Sequence, residues 1–177
     1  MNKTKCSMPF LAGFFLLIGC VSNGNLHNGE NRYVDKSFGF SIVCPEFWQA
    51  TDVAGLESKL LFGPQDDNFY PNINFIIEKG INLELRQYVD ANITGLPNAF
   101  PTFRLIRRNN FRTENNVAGE KILYTVTSNG ILIRMAQYII PGRNGVYMII
   151  TCGSPGSAGD KYDALYDRTV GTFIWDR

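Results

Sequence analysis

The sequence predicts an α+β fold, with two helices packed on a largely antiparallel sheet. Three observations predict it. Strand-length runs of alternating or doubly apolar residues fill most of the chain after residue 32. Two Asn-Gly pairs, Asn129-Gly130 and Asn144-Gly145, separate such runs where positive φ angles would close hairpins. Two stretches carry helical spacing, one mid-chain and one near the C-terminal end.

The elements follow in order. Tyr33-Val34-Asp35 and residues 38–43 flank the turn Lys36-Ser37, and Phe38, Phe40 and Ile42 share one face. Pro45 ends that strand. Residues 58–62 and 72–78 are the next strands, split by the polar loop 63–71; Ile73, Phe75 and Ile77 lie on one side. Asn82 is placed to cap a helix reaching about Gly95, with Leu85, Tyr88, Val89, Asn92 and Leu96 on one stripe and Gly95 and Pro97 as its stop. Residues 102–112, 119–127, 131–140 and 146–152 form a meander. Its last two strands are apolar on both faces, as strands in the middle of a covered sheet are. Ser157 to Asp160 resembles a capping box, opening a helix with Tyr162, Leu165, Tyr166, Thr169, Val170 and Phe173 along its apolar side.

The N-terminus is different in kind. Lys3 and Lys5 precede a short apolar stretch, residues 10–18, and no acidic residue occurs before Glu30. Nine apolar residues fall short of the roughly 20 that span a bilayer, but they suit the core of a secretory signal. The stretch ends in Leu17-Ile18-Gly19-Cys20, which resembles the lipobox of bacterial lipoproteins. That resemblance implies removal of residues 1–19 and lipidation of Cys20 with acyl chains such as palmitate. Residues 20–31 then form a polar tether reaching about 18 Å, and residues 32–177 form the folded domain. Val21, where inner-membrane lipoproteins often carry Asp, implies the periplasmic face of an outer membrane if there are two membranes. With one membrane it implies the external face of the plasma membrane.

Composition narrows the function. The 177 residues carry 17 basic and 16 acidic groups, and loss of Lys3 and Lys5 moves the net charge from +1 to −1. Such balance lacks the electrostatic footprint of a nucleic-acid binder. No phosphate loop or nucleophile elbow is present, and the one histidine, His27, lies in the tether.

Tyr33-Val34-Asp35, Phe38-Gly39-Phe40-Ser41-Ile42 and Pro45-Glu46-Phe47-Trp48 resemble the opening of PsbP-like (Mog1/PsbP/DcrB-type) domains. Residues 145–151 and Gly171-Thr172-Phe173 resemble their closing strand and helix, with Thr172 where the family has Ser. The resemblance implies an α/β/α sandwich with helices on both faces of the sheet. It also implies a role in binding or assembly, since the family includes photosystem II subunits, a Ran-GTPase partner and secretion chaperones.

The candidate residues follow. With Cys20 lipidated and Cys6 removed, Cys44 and Cys152 remain; an even pair in an exported protein makes a disulfide the first expectation and two separate buried thiols the alternative. Trp48, Phe69, Tyr70, Arg104, Arg107 and Arg108 are the candidate binding surface, with a Trp48 that plugs the end of the core and loop aromatics that simply pack as the alternatives. The arginines serve equally to guard an edge strand against aggregation. Asp160, Asp163 and Asp167 lie along one helical stripe, where solvent exposure explains them better than a cation does. The expected function is a non-catalytic binding or assembly factor held on the membrane by lipid, with a protein partner in the envelope and no cofactor, metal or nucleic acid. The alternatives are a small-ligand carrier with a cleft near Trp48 and a hydrolase using carboxylates such as Asp66 or Asp67.

Overall fold

A computed structural model describes residues 31–176. The export segment, Cys20 and His27 lie outside the described residues.

The chain forms β1 (Arg32–Asp35), β2 (Phe40–Val43), β3 (Gln49–Thr51), β4 (Leu60–Phe62), β5 (Asn72–Glu78), α1 (Leu85–Ala99), β6 (Arg104–Arg112), β7 (Ala118–Ser128), β8 (Ile131–Pro141), β9 (Tyr147–Pro155), α2 (Asp163–Gly171) and β10 (Ile174–Trp175). A seven-stranded sheet runs β3-β4-β5-β9-β8-β7-β6, and a small sheet runs β1-β2-β10. Every pairing is antiparallel.

Strand periodicity divides the side chains into two cores. Along β8, Ile133, Met135 and Ile139 enter one core, and Ala136, Tyr138 and Ile140 enter the other. Along β9, Tyr147 and Ile149 oppose Met148, Ile150 and Cys152. The first core is closed by Tyr88, Val89 and Leu96 of α1. The second is closed by Tyr166 and Val170 of α2, Phe173, and Phe40 and Ile42 of the small sheet. This is the expected α/β/α sandwich, with the doubly apolar strands in its middle. Gln137 is the buried polar residue of β8, donating to the Thr151 hydroxyl at 3.2 Å. Among the described residues, no helix is long and apolar enough to cross a membrane.

Several boundaries differ from expectation. α1 starts after Glu84, whose backbone N–H is accepted by Gln87 Oε1 at 3.3 Å, rather than at Asn82. It continues through Gly95 and Pro97 to Ala99. Proline costs one backbone bond there, and Leu96, fully buried, with Phe100 packed on the same core, holds both sides of it. α2 starts at Asp163, later than the Ser157 box predicts. The Ser157 hydroxyl donates to Asp67 instead, and Gly159 takes a φ of 57°, so residues 156–158 form a separate 3-10 turn. β4 begins at Leu60 because Ser58 turns inward and donates to Asp35 Oδ2 at 3.0 Å. Asn129-Gly130 and Asn144-Gly145 take the positive φ angles expected of them, 50° and 77°, 55° and 70°.

Candidate functional site

β6 lies at one end of the large sheet, and its pairing with β7 fixes which way each side chain faces. Arg107 is opposite Leu123, Asn109 opposite Lys121 and Phe111 opposite Gly119, all on the α2 side. A groove of about 430 Å³ opens between this margin and the segment from Asp160 into α2. Arg107, Asn109, Phe111 and Lys121 line one wall; Asp160, Asp163 and Asp167 line the other.

Most of the groove's charges are paired. Arg134 donates through Nε and Nη2 to the two Asp163 oxygens, at 2.9 and 2.7 Å. Asp167 Oδ1 accepts from Lys121 Nζ and from Tyr138 Oη, both at 2.7 Å. Burial foremost, with the nearby Asp167 carboxylate, raises the Tyr138 phenol far above its ordinary range, so it acts as a fixed hydrogen-bond donor. Arg107 and Asp160 take part in none of these ion pairs and lie on opposite walls. The floor of the groove is a braced ionic lattice, and its two rims carry charges of opposite sign.

The bulge between Leu105 and Arg107 matters to this surface. Simple alternation would put Arg104 and Arg107 on opposite faces. The bulge adds a residue, so Arg104, opposite Thr125, and Arg107, opposite Leu123, face the same side. Arg108 faces α1, where it donates to Glu120 and Asp90.

The structure separates the proposed surface residues. Arg104 and Arg107 are exposed along the edge. Tyr70 is half-exposed, with its hydroxyl donating to Gln65 Oε1 at 3.2 Å. Trp48 and Phe69 are corrections. Trp48 is 7% exposed, edge-on to Tyr166, and Gly63 packs so tightly on its indole that a Cβ would lie 2.5 Å from it. It packs into the α2-side core, as the core-plug alternative has it. Phe69 is 5% exposed, drawn into the α1 core by the bridge its backbone makes with Asp66.

Cys44 and Cys152 are a further correction: both are free, buried thiols. Cys44 follows a strand of the small sheet, and Cys152 lies mid-strand in the large one. The Cys44 thiol donates to the Trp48 carbonyl at 3.5 Å, and burial pushes it up to about 11. Burial raises Cys152 well above the ordinary thiol range. Asp66 and Asp67 serve as clips. Asp66 accepts from Lys161 and from Tyr162, each at 2.8 Å, and these contacts hold its carboxyl below the usual range. Asp67 accepts from Ser157. Among the described residues no cluster of His, Cys, Asp and Glu is placed to hold a metal.

Sequence reasoning marked the arginines but missed Lys121, Asn109 and Phe111 as groove residues. Their alternation along β6 and β7 carried the signal, given knowledge of which strand ends the sheet. It also missed Phe47, 77% exposed at φ 65° in the turn closed by Trp48 N–H and Pro45 C=O.

No family model matches this sequence, and no curated protein does. Solved structures do. Cyanobacterial PsbP (CyanoP) from Synechocystis sp. PCC 6803 superposes with a TM-score of 0.63 at 16% identity, over 88% of this chain and 98% of that one. LpqN of Mycobacterium tuberculosis, involved in cell envelope biogenesis, gives 0.60 at 11% identity, over 85% and 87%. The Ran-binding protein Mog1p of Saccharomyces cerevisiae gives 0.57 at 11%, over 82% and 95%. At such identities the likeness concerns fold. The described residues adopt the PsbP/Mog1-like fold.

Proposed function

We propose that this protein is a lipoprotein of the cell envelope, anchored through Cys20, whose folded part is a non-catalytic binding or assembly factor. The observation that carries the reading is the β6 margin: a nine-residue strand that, among the described residues, is paired on one side only and lies beside a polar groove. Exposed sheet edges recruit partners by backbone hydrogen bonding. Asp66 and Asp67, the carboxylates the hydrolase reading names, are engaged in the fold: Asp66 with Lys161 and Tyr162, and Asp67 with Ser157.

The anchor is supported by the lipobox-like Leu17-Ile18-Gly19-Cys20. The envelope setting has a parallel in LpqN. The mature charge of −1 would give little attraction to anionic lipid, so attachment falls to the acyl chains. Two measurements test the reading. Palmitate labelling should be lost in Cys20→Ala; unchanged labelling overturns the anchor. Crosslinking in intact envelopes should trap a specific partner protein, and its repeated absence overturns the binding role.

A further inference from the structure

We infer that β6 accepts an acidic extended segment of a partner protein, which adds to the large sheet as an eighth strand. The inference rests on the binding reading above and names the surface and the partner's chemistry.

Among the described residues β6 pairs with β7 alone. Along such an edge, alternate backbone N–H and C=O groups point outward and remain to be paired. From Arg107 to Arg112 the register with β7 is unbroken for six residues, enough for a strand of ordinary length.

Charge selects the occupant. β6 carries four arginines and no carboxylate in nine residues. Glu120 and Asp90 neutralise Arg108, and among the described residues the Arg112 side chain bonds to the neutral Asn116, with Nη1 at 3.0 Å from its carbonyl and 2.9 Å from Oδ1. Arg104 and Arg107 form no ion pair among the described residues. The bulge turns both to the α2 side, where carboxylates on alternate residues of an added strand would stand about 5 Å away. A second copy pairing along β6 would set arginine against arginine, which is repulsive. A flat anionic membrane is disfavoured for a different reason. Asp160 lies across the groove from Arg107, so only a ribbon about one strand wide is basic.

The test uses the full chain in detergent and three capped, fluorescent ten-residue peptides: alternating Glu-Thr, alternating Lys-Thr, and Glu-Thr with N-methylated backbone amides. The Glu-Thr peptide should bind and slow amide exchange within 107–112. The Lys-Thr and N-methylated peptides should each bind at least tenfold more weakly. Arg104→Glu/Arg107→Glu should weaken Glu-Thr binding at least tenfold with an unchanged circular dichroism spectrum. Arg104→Ser/Arg107→Ser, which adds no repulsion, should fall between. The inference is overturned if Glu-Thr does not bind, or if N-methylation has no effect, since charge alone would then explain binding. It is also overturned if β6 is protected without peptide by dimerisation, or if only phosphatidylglycerol vesicles respond to the arginine reversal. Envelope crosslinking of the Arg104→Glu/Arg107→Glu chain separates this inference from the broader reading. A partner still trapped there removes the edge and leaves the binding role; no partner in either chain removes both.

Discussion

The two ends of the large sheet are protected in opposite ways. β3 has three residues, and its neighbourhood is locked by packing, with Trp48 just before it and Gly63 just after β4 pressed together. β6 has nine residues, most of them exposed, and is guarded by arginines and a bulge. One end resists pairing by offering little backbone. The other offers a long backbone under a charge that rejects its own kind. An edge guarded by charge stays open to a partner of the opposite charge, and an edge guarded by brevity does not.

This contrast predicts unequal responses to mutation. Gly63→Ala should be the most damaging, because a Cβ would meet the indole at 2.5 Å; overpacking of this sort costs about 2 kcal/mol, read from the urea midpoint. If it proves harmless, the β3 end is not fixed by packing. Glu120→Gln should cost about 1 kcal/mol by weakening the brace on Arg108, with Asp90 left to hold it. Phe47→Asn should go the other way and raise stability by about 1 kcal/mol, since asparagine tolerates the left-handed φ of 65° better. Arg104→Ser/Arg107→Ser should change stability by less than about 0.5 kcal/mol, as expected for exposed side chains without partners.

The smallest effect is local and depends on pH. Asp66 has its carboxyl held low, first by Lys161 and then by Tyr162. A lowered pKa gives stability that is present above the ordinary carboxylate range and lost as pH falls through the lowered value. Acidification should therefore release the loop at residues 63–71 before the sheet opens, seen as earlier amide exchange there. Simultaneous loss across β8 would show that the clip is not separate from the core.

The long periodic elements were legible in the sequence because burial on one or both faces leaves a pattern. β5, β8 and the apolar stripes of both helices are examples. β3 and β10, of three and two residues, are too short to carry a period. The start of α2 was misplaced because a side chain found a distant partner: Ser157 binds Asp67, 90 positions away, instead of capping its own helix. The candidate surface divided for the same reason. Arg104 and Arg107 could be named from composition, but their common face depends on a bulge that alternation does not reveal. Trp48 after its proline turn reads equally as a cleft wall or a core plug, and Phe69 in its loop as a contact residue or as packing; Gly63 and the Asp66–Phe69 bridge turn both rings inward.

The two buried thiols make the molecule a recorder of its own opening. Cys44 sits at the margin of its core with 5% exposure, and Cys152 sits at the centre with none. Each is nearly inert while covered, because burial keeps it protonated. A thiol reagent would thus react at the speed of exposure rather than of chemistry. The outer sulfur would mark loosening of the small sheet, and the inner one would mark separation of the layers, so one chain carries two clocks set at different depths.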